Sequence, residues 1–368
     1  MLKNVTSSQI FSLYNLHIFT TVIAFFMGIM IASSKYSAPV ATLVGGFLAL
    51  VLVYPAYKVG ASRPGEFLVQ YGSELVGRPL HFCFMLYILL IHILLAALNL
   101  RELADYLLSE YLIDTPSLAV VGIFGICVAY AVRCGLNTIF LAAEGIFLIT
   151  ALAFLSIPLI GFQEMEIDMF IALATHLTVK DLWDSIYGTI SIFGELAFLF
   201  LLFPYLKRPK KVYRTYFFIT LTSLAVIITH LIPVLLTFGP NLGANLMYPD
   251  MELVRFIRGG SFIDTMDPIL IILWLTSIFV KISFIVFTAV TCLSQLTGVN
   301  DHKPFTLPIT AFIIVFSMCI ARTPPELTRF LSNDWPALMI FAEFLIPFVY
   351  WMAGIARGSI KKAKPESR

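Results

Sequence analysis

Long apolar stretches recur along this chain, separated by short polar segments that hold nearly all of its charge. Runs of roughly 18 or more apolar residues are long enough to cross a bilayer as helices. Ten are predicted, over residues 9–33, 37–57, 80–108, 117–132, 138–160, 183–206, 213–238, 265–292, 305–322 and 336–356. The pattern predicts an all-α membrane protein forming a single transmembrane domain over 1–368. Two longer polar segments, 161–184 and 239–264, are expected to form short helices on the outer face.

Composition agrees with the pattern. Of 368 residues, 59% are hydrophobic and 12% charged, against about a quarter charged in soluble domains. Mean hydropathy is +0.92. A net charge of +2 speaks against nucleic-acid binding, because the basic residues are gathered in loops rather than along one face. With ten spans and both ends cytoplasmic, sixteen Lys and Arg residues fall in inner loops and tails and seven in outer ones, the bias expected for an inserted protein. The apolar run after MLKNVTSSQ continues to Ala32 without a small-residue cleavage site, so a retained first span is expected rather than a signal peptide. No soluble domain is expected. Five cysteines without CxxC spacing predict neither disulfides nor zinc, and no metal ion or cofactor is expected.

Candidate chemistry centres on the sixth span. Glu195 follows Gly194 inside apolar sequence, and Lys207, Arg208, Lys210, Lys211 and Arg214 close that span on the cytoplasmic side. A carboxylate in hydrocarbon is costly unless it faces protein, a partner or water, so Glu195 marks a candidate site. A break at Gly194-Glu195 suggests a five-plus-five inverted repeat, with halves 9–160 and 183–356, in which the first helix of each half is discontinuous near the midplane. In span one the matching stretch is Thr20-Thr21-Val22-Ile23, which does not compel a break. Lys281 in span eight is the second intramembrane charge; it either replaces a coupling ion or pairs with Glu144 or Glu195 to hold helices in register. His92 and His230 are read as cross-helix hydrogen-bonding groups, Asn99 and Arg101 as a solvated helix end, and Trp274 as an interface aromatic.

The segments TSSQIFSL, RPGEFLVQYGSELVGRPL, LNLRELADYLLSEYLIDTPSLAV, YAVRCGLNTIFLAAE, FGELAFLFLLFPYLKRPKK and WLTSIFVKISFIVF, in this order and spacing, resemble the B subunit of the bacterial spore-germination nutrient receptors. That family is similar to amino acid permeases of the amino acid-polyamine-organocation superfamily. The resemblance implies a ten-helix, leucine-transporter-like fold in the spore inner membrane and a complex with an A subunit and a lipoprotein C subunit. It also implies an amino acid or similar small nutrient held between spans 1, 3, 6 and 8. Carried onto this chain, that pocket comprises Thr20, Thr21, Val22, Ile23, Ala97, Phe193, Gly194, Glu195 and Ile278. The chain departs from the family pattern in having threonines rather than glycine at the first-span break, and no basic residue near Phe140-Leu141. A nutrient receptor is therefore expected, with a proton-coupled amino acid transporter as the alternative. An enzyme is not expected, because the intramembrane polar residues are single and dispersed.

Overall fold

The computed structural model describes residues 5–160, 165–176, 179–256, 266–321 and 323–358. They are almost wholly helical, and among the described residues there is no strand beyond an isolated bridge between Val5 and Leu206.

Helix α1 (Ser7–Thr21) opens with a capping box. Thr6 Oγ1 accepts from the Gln9 amide, and Gln9 Oε1 accepts from the Thr6 amide at 2.9 Å, so two otherwise orphaned donors are satisfied together. The helix widens into a π turn at Val22–Phe26 and continues as α2 (Met27–Ser34). Lys35, at φ 49°, then turns the chain into α3 (Ala38–Leu52) and α4 (Tyr54–Ser62). Together these form one apolar run of 56 residues. A straight helix of that length would extend roughly 80 Å. Instead Val5 bridges Leu206 while Gly60 abuts the Phe203 ring, so both ends of the run lie at the same end of the molecule. The chain doubles back at Lys35, and the run holds the first two predicted spans.

The remaining elements are α5 (Leu68–Val76), α6 (Arg78–Glu110), α7 (Ser117–Cys134), α8 (Leu136–Ile160), α9 (Phe170–Thr175) and α10 (Val179–Gly194). A 3₁₀ segment, Glu195–Tyr205, follows α10. Next come α11 (Val212–Asn245), α12 (Pro249–Phe256), α13 (Met266–Leu296), α14 (Lys303–Cys319) and α15 (Pro324–Asn333). The last span is α16 (Trp335–Ile340), a π turn at Phe341–Leu345 and α17 (Ile346–Ala356). Among the described residues, eight helical runs are long and apolar enough to cross a membrane; α14 and α15, bent by 105°, make a ninth if taken as one. Each of the two longer polar segments contains a short helix, α9 and α12.

Burial sorts the spans into an inner and an outer set. The 3₁₀ segment is buried from Glu195 to Pro204, whereas α7 and α8 leave Ile123, Ile126, Tyr130, Leu148 and Leu152 exposed. Such apolar faces suit lipid contact. The inner set, α1, α6, α10 with its 3₁₀ continuation, and α13, carries the ionisable residues described next.

Candidate functional site

Span six changes its winding where the sequence places its carboxylate. The α-helix ends at Gly194, and Glu195 is the first of eleven residues in 3₁₀ conformation. Stretches of 3₁₀ longer than three or four residues are uncommon and mark hinges or strained sequence. This new winding carries the Glu195 side chain toward α1 and α13. His17 Nε2 is directly hydrogen-bonded to Glu195 Oε2, and Lys281 Nζ lies 4.0 Å from the same oxygen. Lys281 also donates to Thr21 Oγ1, whose own hydroxyl donates to the His17 carbonyl at 3.0 Å. His17 and Thr21, four residues apart, lie on one face of α1. The four groups close a ring through three helices, all of them buried.

Thr21, Glu195 and Lys281 form one wall of a tight cavity of about 10 Å³. The facing wall is α6, through Asn99 and Glu102. Asn99 Nδ2 donates to the Leu95 carbonyl at 2.7 Å, which fixes the amide, while its Oδ1 is buried with no partner. Phe26, Leu331 and Trp335 complete the enclosure. Space of this size admits about one water, so the site is occluded. Glu102 and Leu331 also line a second small cavity with Asp105, Tyr248 and Thr328. Beyond Thr328 and Met247 it adjoins a wide cleft of about 610 Å³ beside α15. A series of cavities thus descends from the α15 end to the charged ring, with Leu331 of α15 at the narrowest point.

Of the residues expected at the site, Thr21, Glu195 and Lys281 converge on the cavity; the others do not line it. Thr20 donates to the Leu16 carbonyl at 2.7 Å, and Ile23 packs in an apolar cluster with Phe19 and Met27. Val22, Ala97, Phe193 and Ile278 are buried in the main apolar core. Gly194 faces the π turn of the last span: a Cβ there would overlap the Glu343 carboxylate and come within 2.6 Å of Phe344. Two open expectations are narrowed. Span one stays α-helical at Thr20-Thr21, with Thr21 at φ −69°, ψ −51°, and its change of winding is the π turn that begins at Val22, within the matched stretch. Threonine hydroxyls bonded to carbonyls four residues back keep that turn closed. Lys281 does not pair with Glu144, which is half-buried on α8; Glu195 takes that place.

Three site residues were missed or misread from sequence. His17 is an ionisable group inside an apolar run, the criterion that singled out Glu195; Asn99, read as part of a solvated helix end, lines the cavity, and so does Glu102. Of the other span histidines, His81 and His230 bond across helices as His230 was expected to, whereas His92, against expectation, bonds within its own helix. His92 Nδ1 meets the Ile88 carbonyl at 2.8 Å and its ring lies 4.4 Å from Phe198. His230 is held by Asp250 at 2.6 Å and the Phe154 carbonyl at 2.9 Å, which fastens α12 to α11 and α8. No group of three or more His, Cys, Asp or Glu among the described residues is arranged to hold a metal ion.

The arrangement of helices is that of known membrane transporters. The structure superposes on the L-phenylalanine complex of MhsT with a TM-score of 0.69, at 11% identity, over 94% of this chain and 97% of that one. It matches a manganese transporter of Eremococcus coleocola with a TM-score of 0.65, at 14% identity, over 97% and 82% of the two chains. At such identities the likeness shows the fold, which is leucine-transporter-like, and the chain is an integral membrane protein. In sequence it is 24% identical to spore germination protein KB of Bacillus subtilis (strain 168) over 300 residues, 78% of each chain. It is 23% identical to spore germination protein XB of Bacillus anthracis over 268 residues, 72% of this chain and 74% of that one. The profile of the spore germination protein (spore permease) family matches residues 4–325, and the chain belongs to that family.

Proposed function

We propose that this protein is the nutrient-sensing subunit of a germination receptor in the spore inner membrane, and that the one-water cavity between spans 1, 3, 6 and 8 is the closed form of a site that widens to take an amino acid or similar zwitterion. The observation that carries this reading is the polarity of the cavity. On one wall stands a lysine shared between Glu195 and Thr21; on the other stand the unpartnered Asn99 Oδ1 and the Glu102 carboxylate. A ligand carboxylate competes with Glu195 for Lys281, while its ammonium group is taken by Asn99 and Glu102. Each such charge-assisted bond contributes about 1.5–3 kcal/mol. Drawing Lys281 from Glu195 loosens the junction at which span six changes winding, so the ligand favours one conformation over another, as a population shift requires.

In this reading the chain makes ten passes in two five-span halves, 9–160 and 183–356, with both termini cytoplasmic. Support comes from the break in winding midway along both span one and span six, and from contacts that gather alternate loops at opposite ends. Val5 with Leu206, Gln70 with Gln295 and His302 with Val132 tie one end. Ser37 with His176, Arg101 with Ala321 and Arg255 with Glu110 tie the other. The receptor passes its change of shape to an A subunit and a lipoprotein C subunit.

The second reading, a proton-coupled amino acid transporter using Glu195 or Lys281, is favoured by the transporter fold itself and by the His17–Glu195 hydrogen bond, a route by which a proton can move between groups. Binding and uptake of a labelled amino acid panel by purified protein, in detergent and in liposomes, separates the two. Saturable binding without uptake supports the receptor. Uptake driven by a proton gradient overturns it in favour of the transporter.

A further inference from the structure

Glu343 takes no part in the ring or the cavity, yet it is the most completely buried carboxylate of the described spans. Its relative exposure is 0%, and neither carboxylate oxygen has a hydrogen-bond partner. It sits on the π turn Phe341–Leu345, a local widening of the kind that recurs at functional sites. Gly194 is the reason it fits: any side chain at that position would occupy the space of the Glu343 carboxylate. The last α-helical residue of span six is therefore packed directly onto this acid, and Glu195 follows it in the chain.

An ionised carboxylate without a partner, sealed from water, costs many kcal/mol. Something must compensate it. The charged and titratable side chains on the elements packed against this turn are few. On α10 the nearest are Tyr187 and Asp184, about two turns or more before Gly194, and His92 of α6 is bonded to the Ile88 carbonyl. From the 3₁₀ segment there is Glu195, a like charge that follows Gly194 in the chain. From α4 come Tyr54, Tyr57 and Lys58, with Lys58 lying over the two tyrosine rings. From α6 comes Tyr87, whose hydroxyl is committed to the Leu338 carbonyl at 3.1 Å, and from α17 Tyr350, bonded to His81 at 2.7 Å. None supplies a cation to Glu343. A metal ion is disfavoured by space and ligand number, since hard cations need about six oxygens and the single carboxylate here is packed against Gly194.

We propose that Glu343 is a proton-binding site, holding one proton taken from bulk water on a carboxylate oxygen while Gly194 is packed against it. The contact between spans six and ten and the binding of that proton are one event. Opening the contact admits water, ionises Glu343 and returns the proton to bulk. This inference goes beyond the nutrient site and holds whether the protein is a receptor or a transporter.

Infrared spectroscopy of the purified full-length protein in H₂O and D₂O at neutral pH tests it. Wild type should show the carbonyl band of a protonated carboxylic acid, shifted in D₂O; Glu343→Gln should lose it, and Glu195→Gln should keep it. Glutamine reproduces the shape and neutrality of the protonated acid, so this variant should fold. Should it not be obtained, Glu343→Asp serves, and a displaced band supports the assignment. Absence of the band from wild type, or a band unmoved in the Glu343 variant, overturns the proposal.

Discussion

Lys281 is buried between two partners, and that sets the terms for substitution at the ring. Removing one member of a buried charge pair leaves the other uncompensated, at a cost of about 3–5 kcal/mol, whereas removing both is often nearly neutral. Lys281→Met should lower the midpoint of thermal unfolding sharply, and adding Glu195→Gln should restore most of it, while Glu144→Gln should restore nothing. Equal rescue by either change would break the assignment of the pair. Gly194→Ala should destabilise by about 1–3 kcal/mol through overpacking against Glu343 and Phe344; a variant of wild-type stability would show that the π turn yields freely. At this scale sequence was an uneven guide. Glu195 and Lys281 stood out because each interrupts an apolar run. His17 and Glu343 interrupt such runs too and were recoverable by the same reasoning. That Thr21 faces the cavity while Thr20 and Ile23 do not is a matter of helical phase, which a wholly apolar span leaves undefined, since it has no polar face to set its rotation.

At the scale of elements, α15 is the feature that organises access. Leu331 lines the central cavity and the second small cavity beside it, and Trp335 begins the next helix against the central one. Leu331→Ala should therefore raise the association and dissociation rates of a labelled ligand together by several-fold, with little change in affinity, as measured by stopped flow on reconstituted protein. A change confined to dissociation would make Leu331 a ligand contact instead of a gate. The positions of the spans were legible because length and apolarity alone mark them. The kind of break was not. An α, a π and a 3₁₀ turn differ by one residue in hydrogen-bond register, and Phe-Gly-Glu-Leu or Thr-Thr-Val-Ile suits all three. The lid was hidden for a different reason: PPELTRFLSN reads as an ordinary polar connection, and only its packing over the cavity gives it a role.

Over the whole molecule, one picture relates charge, packing and conformational change. Span six is tied through Glu195 to spans one and eight and through Gly194 to the last span, so both ties act on the same two-residue junction. A ligand that weakens the first tie acts on the element that the second one clamps. In the proposed receptor, the surface that would meet a partner subunit has no signature in sequence, because apolar faces such as those on α7 and α8 have the same composition whether they meet lipid or protein.

The claim most exposed to test is that a ligand ammonium group is held by Asn99 and Glu102. The affinity of purified protein for an amino acid that binds should be compared with its affinity for the analogue lacking the amino group, in wild type and in Glu102→Gln. Wild type should lose at least about 10- to 100-fold on removal of the amino group, the range of one charge-assisted hydrogen bond. The variant should bind the amino acid weakly and lose little more with the analogue. Full loss in the variant, as large as in wild type, would place the ammonium group elsewhere and contradict the account.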